Sequence, residues 1–246
     1  MIWLRSLIFQ ILFYGWTLTM GVAFLPLLVL PRSVAMWGAR FWCRSVLGLL
    51  RVTTGLSGHI EQVGERPTGP AIFAAKHQSA WDTMMITRLL PDPAIVLKKE
   101  LLSVPFFGWY VRRHGAIAID RKAGASALRQ MLRDARRAVE DGRDIFVFPE
   151  GTRTAPGERR PYHSGVAALY RDLGLPVVPV ALNSGMFWGR RSFLKRAGDI
   201  TLRVLPPIPP GLKRREFMQR LEKVIETETT ALTEAARAAL DDASAD

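Results

Sequence analysis

Between Arg5 and Arg32 the chain runs for 26 residues without a single charge, in a stretch rich in Leu, Ile, Phe and Val. A helix over the whole run would measure about 39 Å, against a hydrocarbon core of about 30 Å in a bilayer. Trp3 and Trp16 give it interfacial character, and Pro26 marks where it kinks or ends. The run is too long for the apolar part of a cleavable signal peptide, its basic start is weak, and no small-x-small cleavage pattern follows. It is therefore expected to hold the chain to a membrane, either by spanning it or by dipping in and returning. Residues 33–51 then mix Trp37, Phe41, Trp42, Val46, Leu47, Leu49 and Leu50 with Arg40, Arg44 and Arg51, the pattern of an amphipathic helix at the interface. Residues 1–52 are read as a membrane anchor. The arginines from 32 to 51 stay inside by the positive-inside rule, which places the rest on the cytoplasmic face of the cell membrane.

The anchor reinterprets the charge. A net charge of +12 over 246 residues suits a polyanionic partner. Anionic lipid attracts basic residues near its surface by about 1 kcal/mol each, so membrane lipid is the expected partner and nucleic acid is not required. The single cysteine, Cys43, excludes an intrachain disulfide framework and a multi-cysteine zinc site.

Beyond the anchor, short apolar runs alternate with helical patterns. Residues 57–63, 71–75, 94–97, 115–119, 144–148, 177–182 and 200–205 read as strands. Helical periodicity covers 83–90, 126–140 and 165–173, and 216–240 forms a last helix before a short acidic tail. This order predicts an α/β domain over residues 53–210, with a mainly parallel central sheet flanked by helices, and a C-terminal unit over 211–246. His59 alternates with apolar neighbours and is read as structural, while Pro179 argues for an edge or bulge position in its strand. Residues 102–110, with Phe106, Phe107, Trp109 and Tyr110, serve as core packing, as the lining of an acyl slot or as a bilayer contact. The mixed apolar and basic segment 183–196 reads as a loop resting on lipid.

In parallel sheets, sites gather where strands end. Four charged clusters stand at such ends: His77 with Asp82, Lys98 with Lys99, Asp120 with Arg121, and Glu150 with Arg153. His77 leaves a strand, and Ser79-x-x-Asp82 opens the next helix as a capping box. If the chain folds back there, Asp82 orients His77 as a general base and stabilises the imidazolium that forms. Arginines beside such a pair suit phosphate, whose oxygens a guanidinium binds two at a time, and Gly151 permits close backbone approach. A phosphate-cradling Gly-x-x-x-x-Gly-Lys loop, a Gly-x-Ser-x-Gly elbow and a His-Glu-x-x-His helix are all absent from the sequence, which disfavours an NTPase, a serine hydrolase and a zincin. Ser79 is read as the helix cap rather than as a nucleophile.

These blocks together resemble the glycerolipid acyltransferase family. His77-x-x-x-x-Asp82 is similar to its catalytic His-x4-Asp, and Gly115 to Arg121 to its block ending in Asp-Arg. Phe148-Pro149-Glu150-Gly151-Thr152-Arg153 is similar to its third block, and Val178-Pro179-Val180 to its fourth. The resemblance covers roughly residues 57–205. It departs at Lys76, where many members have Asn, and at Tyr162-His163-Ser164-Gly165, where many have a lysine before the glycine.

The resemblance implies acyl transfer without a covalent acyl-enzyme. His77, oriented by Asp82, takes the hydroxyl proton of a lysophospholipid, which attacks the thioester of acyl-CoA or acyl-carrier protein. It implies that Arg121, Glu150, Gly151, Thr152 and Arg153 hold the acceptor and that neither a metal nor a cofactor is needed; Lys98 and Lys99, from their strand-end cluster, are read as further substrate-binding residues. Lysophosphatidate is the expected acceptor. Another lysolipid, such as lyso-ornithine lipid, and a non-catalytic basic membrane module are the alternatives.

Overall fold

The computed structural model describes residues 1–120 and 123–245, with side chains as far as residue 242. The strands are β1 (Leu56–Gln62), β2 (Ile72–Ala75), β3 (Ala94–Lys98), β4 (Ile117–Ile119), β5 (Ile145–Val147), β6 (Val177–Leu182) and β7 (Gly198–Val204). The helices are α1 (Ile2–Ala23), α2 (Arg32–Thr54), α3 (Ala80–Leu89), α4 (Phe107–Arg113), α5 (Gly124–Glu140), α6 (Ser164–Leu173) and α7 (Arg214–Ala245). The strands form one sheet in the order β1-β7-β6-β2-β5-β3-β4. Pairing from β6 through β2, β5 and β3 to β4 is parallel, as expected; β7 runs antiparallel to β6, and β1 runs parallel to β7.

Parallel strands covered on both faces need apolar side chains on both, and β2 and β6 are buried at every position. Phe73, Ala75 and Val178 pack beneath α2 and α3 against Val46, Leu50, Trp81 and Met85. Ile72, Ala74 and Val177 point the other way, onto Met131 and Ala135 of α5, Val166 and Leu169 of α6, and Phe217, Leu221 and Ile225 of α7. Five parallel strands thus deliver their carboxyl ends to one edge.

Pro179 lies not at the sheet edge but in β6, between β2 and β7. Its carbonyl accepts Leu205 N–H at 3.0 Å, while the β6–β7 ladder begins one residue later, at Val180 opposite Val204. A residue's N–H and C=O point to the same side of a strand, so the donor that proline lacks faces the place where β7 has already ended.

The N-terminal helices also differ from a single long rod. Pro26 cannot donate to a helix and disfavours it in the residue before, so α1 stops at Ala23 and Leu25–Leu28 form a 3₁₀ turn. That leaves α1 about 33 Å long. α2 returns antiparallel: Phe13 meets Trp42, and Phe24 meets Trp37. α1 is fastened along its length. Trp3 stacks on Phe193, Phe9 meets Trp188 edge-on, and Tyr110 donates to Gly21 O at 3.0 Å. Segment 183–196 is thus partly a brace for α1: Phe187 and Lys195 are buried in it. At the far end, α7 continues through Asp241 and Asp242, because its alanine-rich sequence has neither glycine nor proline to stop it. His59 faces Asp199 across β1 and β7 at the exposed sheet edge.

Candidate active site

The turn after β2 is built by hydrogen bonds that the sequence writes locally. Lys76 N–H still pairs with Val180 O at 2.9 Å, and then the chain leaves the sheet. Ser79 takes an extended conformation and caps α3: its hydroxyl oxygen accepts Trp81 N–H at 3.2 Å. Asp82, in the first helical turn, reaches back and closes the box. Its Oδ2 accepts Ser79 N–H at 2.8 Å, Gln78 N–H at 2.7 Å and His77 Nδ1–H at 2.9 Å. Its Oδ1 accepts the Ser184 hydroxyl at 2.5 Å, from the 3₁₀ turn that follows β6. A carboxylate buried this deeply, at 2% exposure, is satisfied on both oxygens and lies at the favourable end of the α3 dipole. The chain does fold back, and His77 meets Asp82.

Because Asp82 is acceptor-only, the imidazole carries its proton on Nδ1, which leaves Nε2 as the nitrogen open to a ligand. The ring lies flat on Phe148, with centroids 3.8 Å apart and planes at 17°. The peptide of His77 is gripped as well. Glu150 Oε2 accepts His77 N–H at 3.0 Å, and Thr154 N–H donates to His77 O at 2.8 Å. Gln78 Oε1 accepts Gly185 N–H at 2.9 Å and ties in the Ser184 turn. One histidine is therefore fixed by the ends of β2, β5 and β6 together.

Glu150 points inward. Oε1 accepts from Lys76 Nζ at 2.7 Å and from the Thr154 hydroxyl at 2.8 Å, so both oxygens are engaged within the protein. Lys76 also donates to Glu226 Oε1 at 2.8 Å, and Tyr162 OH donates to the same oxygen at 3.0 Å. Burial pushes the Glu150 carboxyl up from its ordinary value, opposed by Lys76, His77 N–H and Thr154. Burial and the carboxylates of Glu226 and Glu150 push the Tyr162 phenol upward, so it is a donor at any ordinary pH.

The other predicted residues divide by strand. Gly151 has φ +64°, a left-handed turn that suits glycine, and its N–H donates to Phe148 O at 2.9 Å. Thr152 and Arg153 follow, half-buried, between Gly151 and the buried Thr154. Lys98 and Lys99 are exposed at the end of β3, and Lys99 reaches Asp120 at 3.4 Å. At about 4.8 Å per strand, β3 and β4 stand roughly 10 and 14 Å from β2, so these lysines are not beside His77. Arg121 lies outside the described residues.

Sequence reasoning missed Ser184, Thr154, the stacking of Phe148 and the pair of Lys76 with Glu226. Ser184 obeys the strand-end rule, standing two residues past β6. Glu226 belongs to a polar stripe at helical spacing with Thr229 and Thr233, all three buried along α7.

A sheet whose parallel strands end in a histidine–aspartate pair, with one imidazole nitrogen open and carboxylate-held backbone beneath it, has the architecture of an α/β enzyme that moves a proton. The chain belongs to the acyltransferase family, whose model matches residues 58–183. It is 33% identical to a 1-acyl-sn-glycerol-3-phosphate acyltransferase of Pseudomonas aeruginosa over 205 residues, 82% of this chain and 80% of that one. A protein of the same name from Saccharomyces cerevisiae is 28% identical over 80% of this chain and 66% of its own. In fold the chain is similar to the crystal structure of the 1-acyl-sn-glycerophosphate acyltransferase PlsC of Thermotoga maritima, with a TM-score of 0.73 at 20% identity over 93% of this chain and 95% of that one.

Proposed function

We propose that this protein transfers a fatty acyl group from acyl-CoA or acyl-carrier protein to the free hydroxyl of 1-acyl-glycerol-3-phosphate, giving phosphatidic acid. The observation that carries the reading is the His77–Asp82 bond at 2.9 Å, with Nε2 left open. Nε2 takes the hydroxyl proton as the oxygen attacks the thioester carbonyl. The tetrahedral intermediate collapses, the carbon–sulfur bond breaks, and the departing thiolate takes the proton back from the imidazolium. Asp82 holds the tautomer and balances the transient positive charge. Arg153 and Thr152, with Gly151 and Arg121, receive the acceptor phosphate, whereas Glu150 acts from behind by fixing the peptide of His77. Lys98 and Lys99 are placed to meet a more distant part of the substrates.

The acceptor carries a lipid tail, and α1 supplies a surface for lipid. Leu4, Leu7, Ile8, Ile11, Leu12, Tyr14, Leu18 and Val22 are 41–63% exposed, a broad apolar face turned away from the domain. Its braces are segments 187–195 and 106–110, which follow β6 and β3, the strands on either side of β2 and β5. A helix fastened this way lies lengthwise in one leaflet beside the site edge rather than crossing alone to the other side. Arg32, Arg40, Arg44 and Arg51 then favour the cytoplasmic face.

The test is acyl transfer by membranes carrying the protein, with lysophosphatidate compared against a panel of other lysolipids. Selective transfer to lysophosphatidate is expected, falling about 10²–10⁴-fold in His77→Ala. A preference for another lysolipid overturns the acceptor, and an active His77→Ala overturns the base.

A further inference from the structure

Lys76 immediately precedes the base, yet its side chain leaves the sheet on the opposite face. Ile72 and Ala74 pack beneath α5, α6 and α7, and Lys76 continues their alternation, ending 1% exposed against α7. There it touches two carboxylates, Glu150 at 2.7 Å and Glu226 at 2.8 Å. One would neutralise it. The second arrives on α7, 150 positions along the chain, and leaves a buried lysine and two buried glutamates with a surplus negative charge. Burying surplus charge opposes folding, so packing alone does not call for Glu226.

Geometry does. Glu226 Oε1 receives Tyr162 OH and Lys76 Nζ together, which fixes Nζ between two oxygens. Nζ in turn holds Glu150 Oε1, and with that oxygen fixed Oε2 faces His77 N–H. An unbroken line of hydrogen bonds runs from α7 to the backbone of His77. We propose that Glu226 is a positioning residue for acyl transfer, acting through Lys76 and Glu150 to set where the His77 imidazole stands. The inference rests on His77 being the base. It places a determinant of the reaction outside residues 58–183, the span matched by the family model.

The test measures kcat, KM and thermal stability for the detergent-purified full chain. Glu226→Gln keeps shape and removes charge; Tyr162→Phe removes one hydroxyl and no charge. Positioning predicts a roughly tenfold fall in kcat for Glu226→Gln with the lysophosphatidate KM within about twofold of wild type. It predicts about threefold for Tyr162→Phe, and a Lys76→Met/Glu226→Gln pair more active than Lys76→Met alone, because one uncompensated carboxylate has gone. Wild-type kcat in both single variants, with a lowered melting temperature, overturns the inference. Should Glu226→Gln fail to accumulate, Tyr162→Phe decides by its kcat alone. His77→Ala runs in parallel. If it is active, the base reading falls; if it is inactive while both other variants keep wild-type kcat, only the positioning role falls.

Discussion

Among the described residues the fold buries two lysines almost completely, Lys76 under the His77 turn and Lys195 at the junction of α1 with the domain, and it treats them in opposite ways. Lys76 faces two carboxylates and stands in a network whose every member is held by another. Lys195 faces none. Its ammonium lies 5.2–5.5 Å from the ring centres of Phe9, Trp188 and Phe193, and donates to Gln10 Oε1 at 2.7 Å and Phe193 O at 2.8 Å. Ring faces and neutral oxygens favour the cation less than carboxylates do, and burial brings Lys195 down from 10.5 to about 8. A region that must hold one geometry is built from matched ions; a region that fastens a helix to a surface is built from an ion among rings.

The contrast is breakable. Lys76→Met leaves Glu150 and Glu226 buried together without their cation. We expect a loss of about 3–5 kcal/mol, read as a fall in melting temperature of roughly 10 °C for a chain of this size. Ser184→Ala strips Asp82 Oδ1 of its hydrogen bond inside the same network, and a bond to a charged group is worth about 1.5–3 kcal/mol. Urea titration in detergent checks the magnitude, with kcat lowered alongside. Near neutral pH, Lys195→Met should change stability by no more than about 1 kcal/mol, since a methionine fits among the rings. Its larger effect is on pH dependence. The folded-state pKa of Lys195 lies below its ordinary value, so the unfolded chain holds the proton more tightly. Wild-type stability therefore rises between about pH 8 and pH 10.5, and the rise is absent below that window. Lys195→Met should flatten that rise. A Lys76→Met protein no less stable than Lys195→Met would end the comparison.

Much of this edge was legible because its chemistry is local. Ser79 and Asp82 are three residues apart, and their capping box dictates the fold-back that brings Asp82 to His77. Strand runs such as Ile72–Ala75 and Ile145–Val147 announce themselves by composition, and each ends at a polar cluster. What stayed hidden depends on partners distant in sequence. Nothing near Glu226 says that it will meet Lys76, and nothing near Glu150 says that both its oxygens will find partners within the protein. Pro179 misled for a related reason: its tolerance depends on where β7 ends, a fact written 25 residues later. The anchor was visible as an apolar run, but its attachment was not, because Trp3, Phe9 and Gly21 find their partners at Phe193, Trp188 and Tyr110.

The two-ended fastening of α1 has a consequence for how such a molecule samples a bilayer. A domain on a flexible tether keeps its distance from the membrane but swivels, so a substrate in the lipid plane meets the site only in a fraction of encounters. If α1 lies flat in one leaflet, as proposed above, its fastening at both ends removes roll and pitch, leaving drift in the plane and spin about its normal. On the membrane placement proposed above, the height of the histidine above the acyl chains is a constant of the structure, and the search for a lipid substrate is two-dimensional.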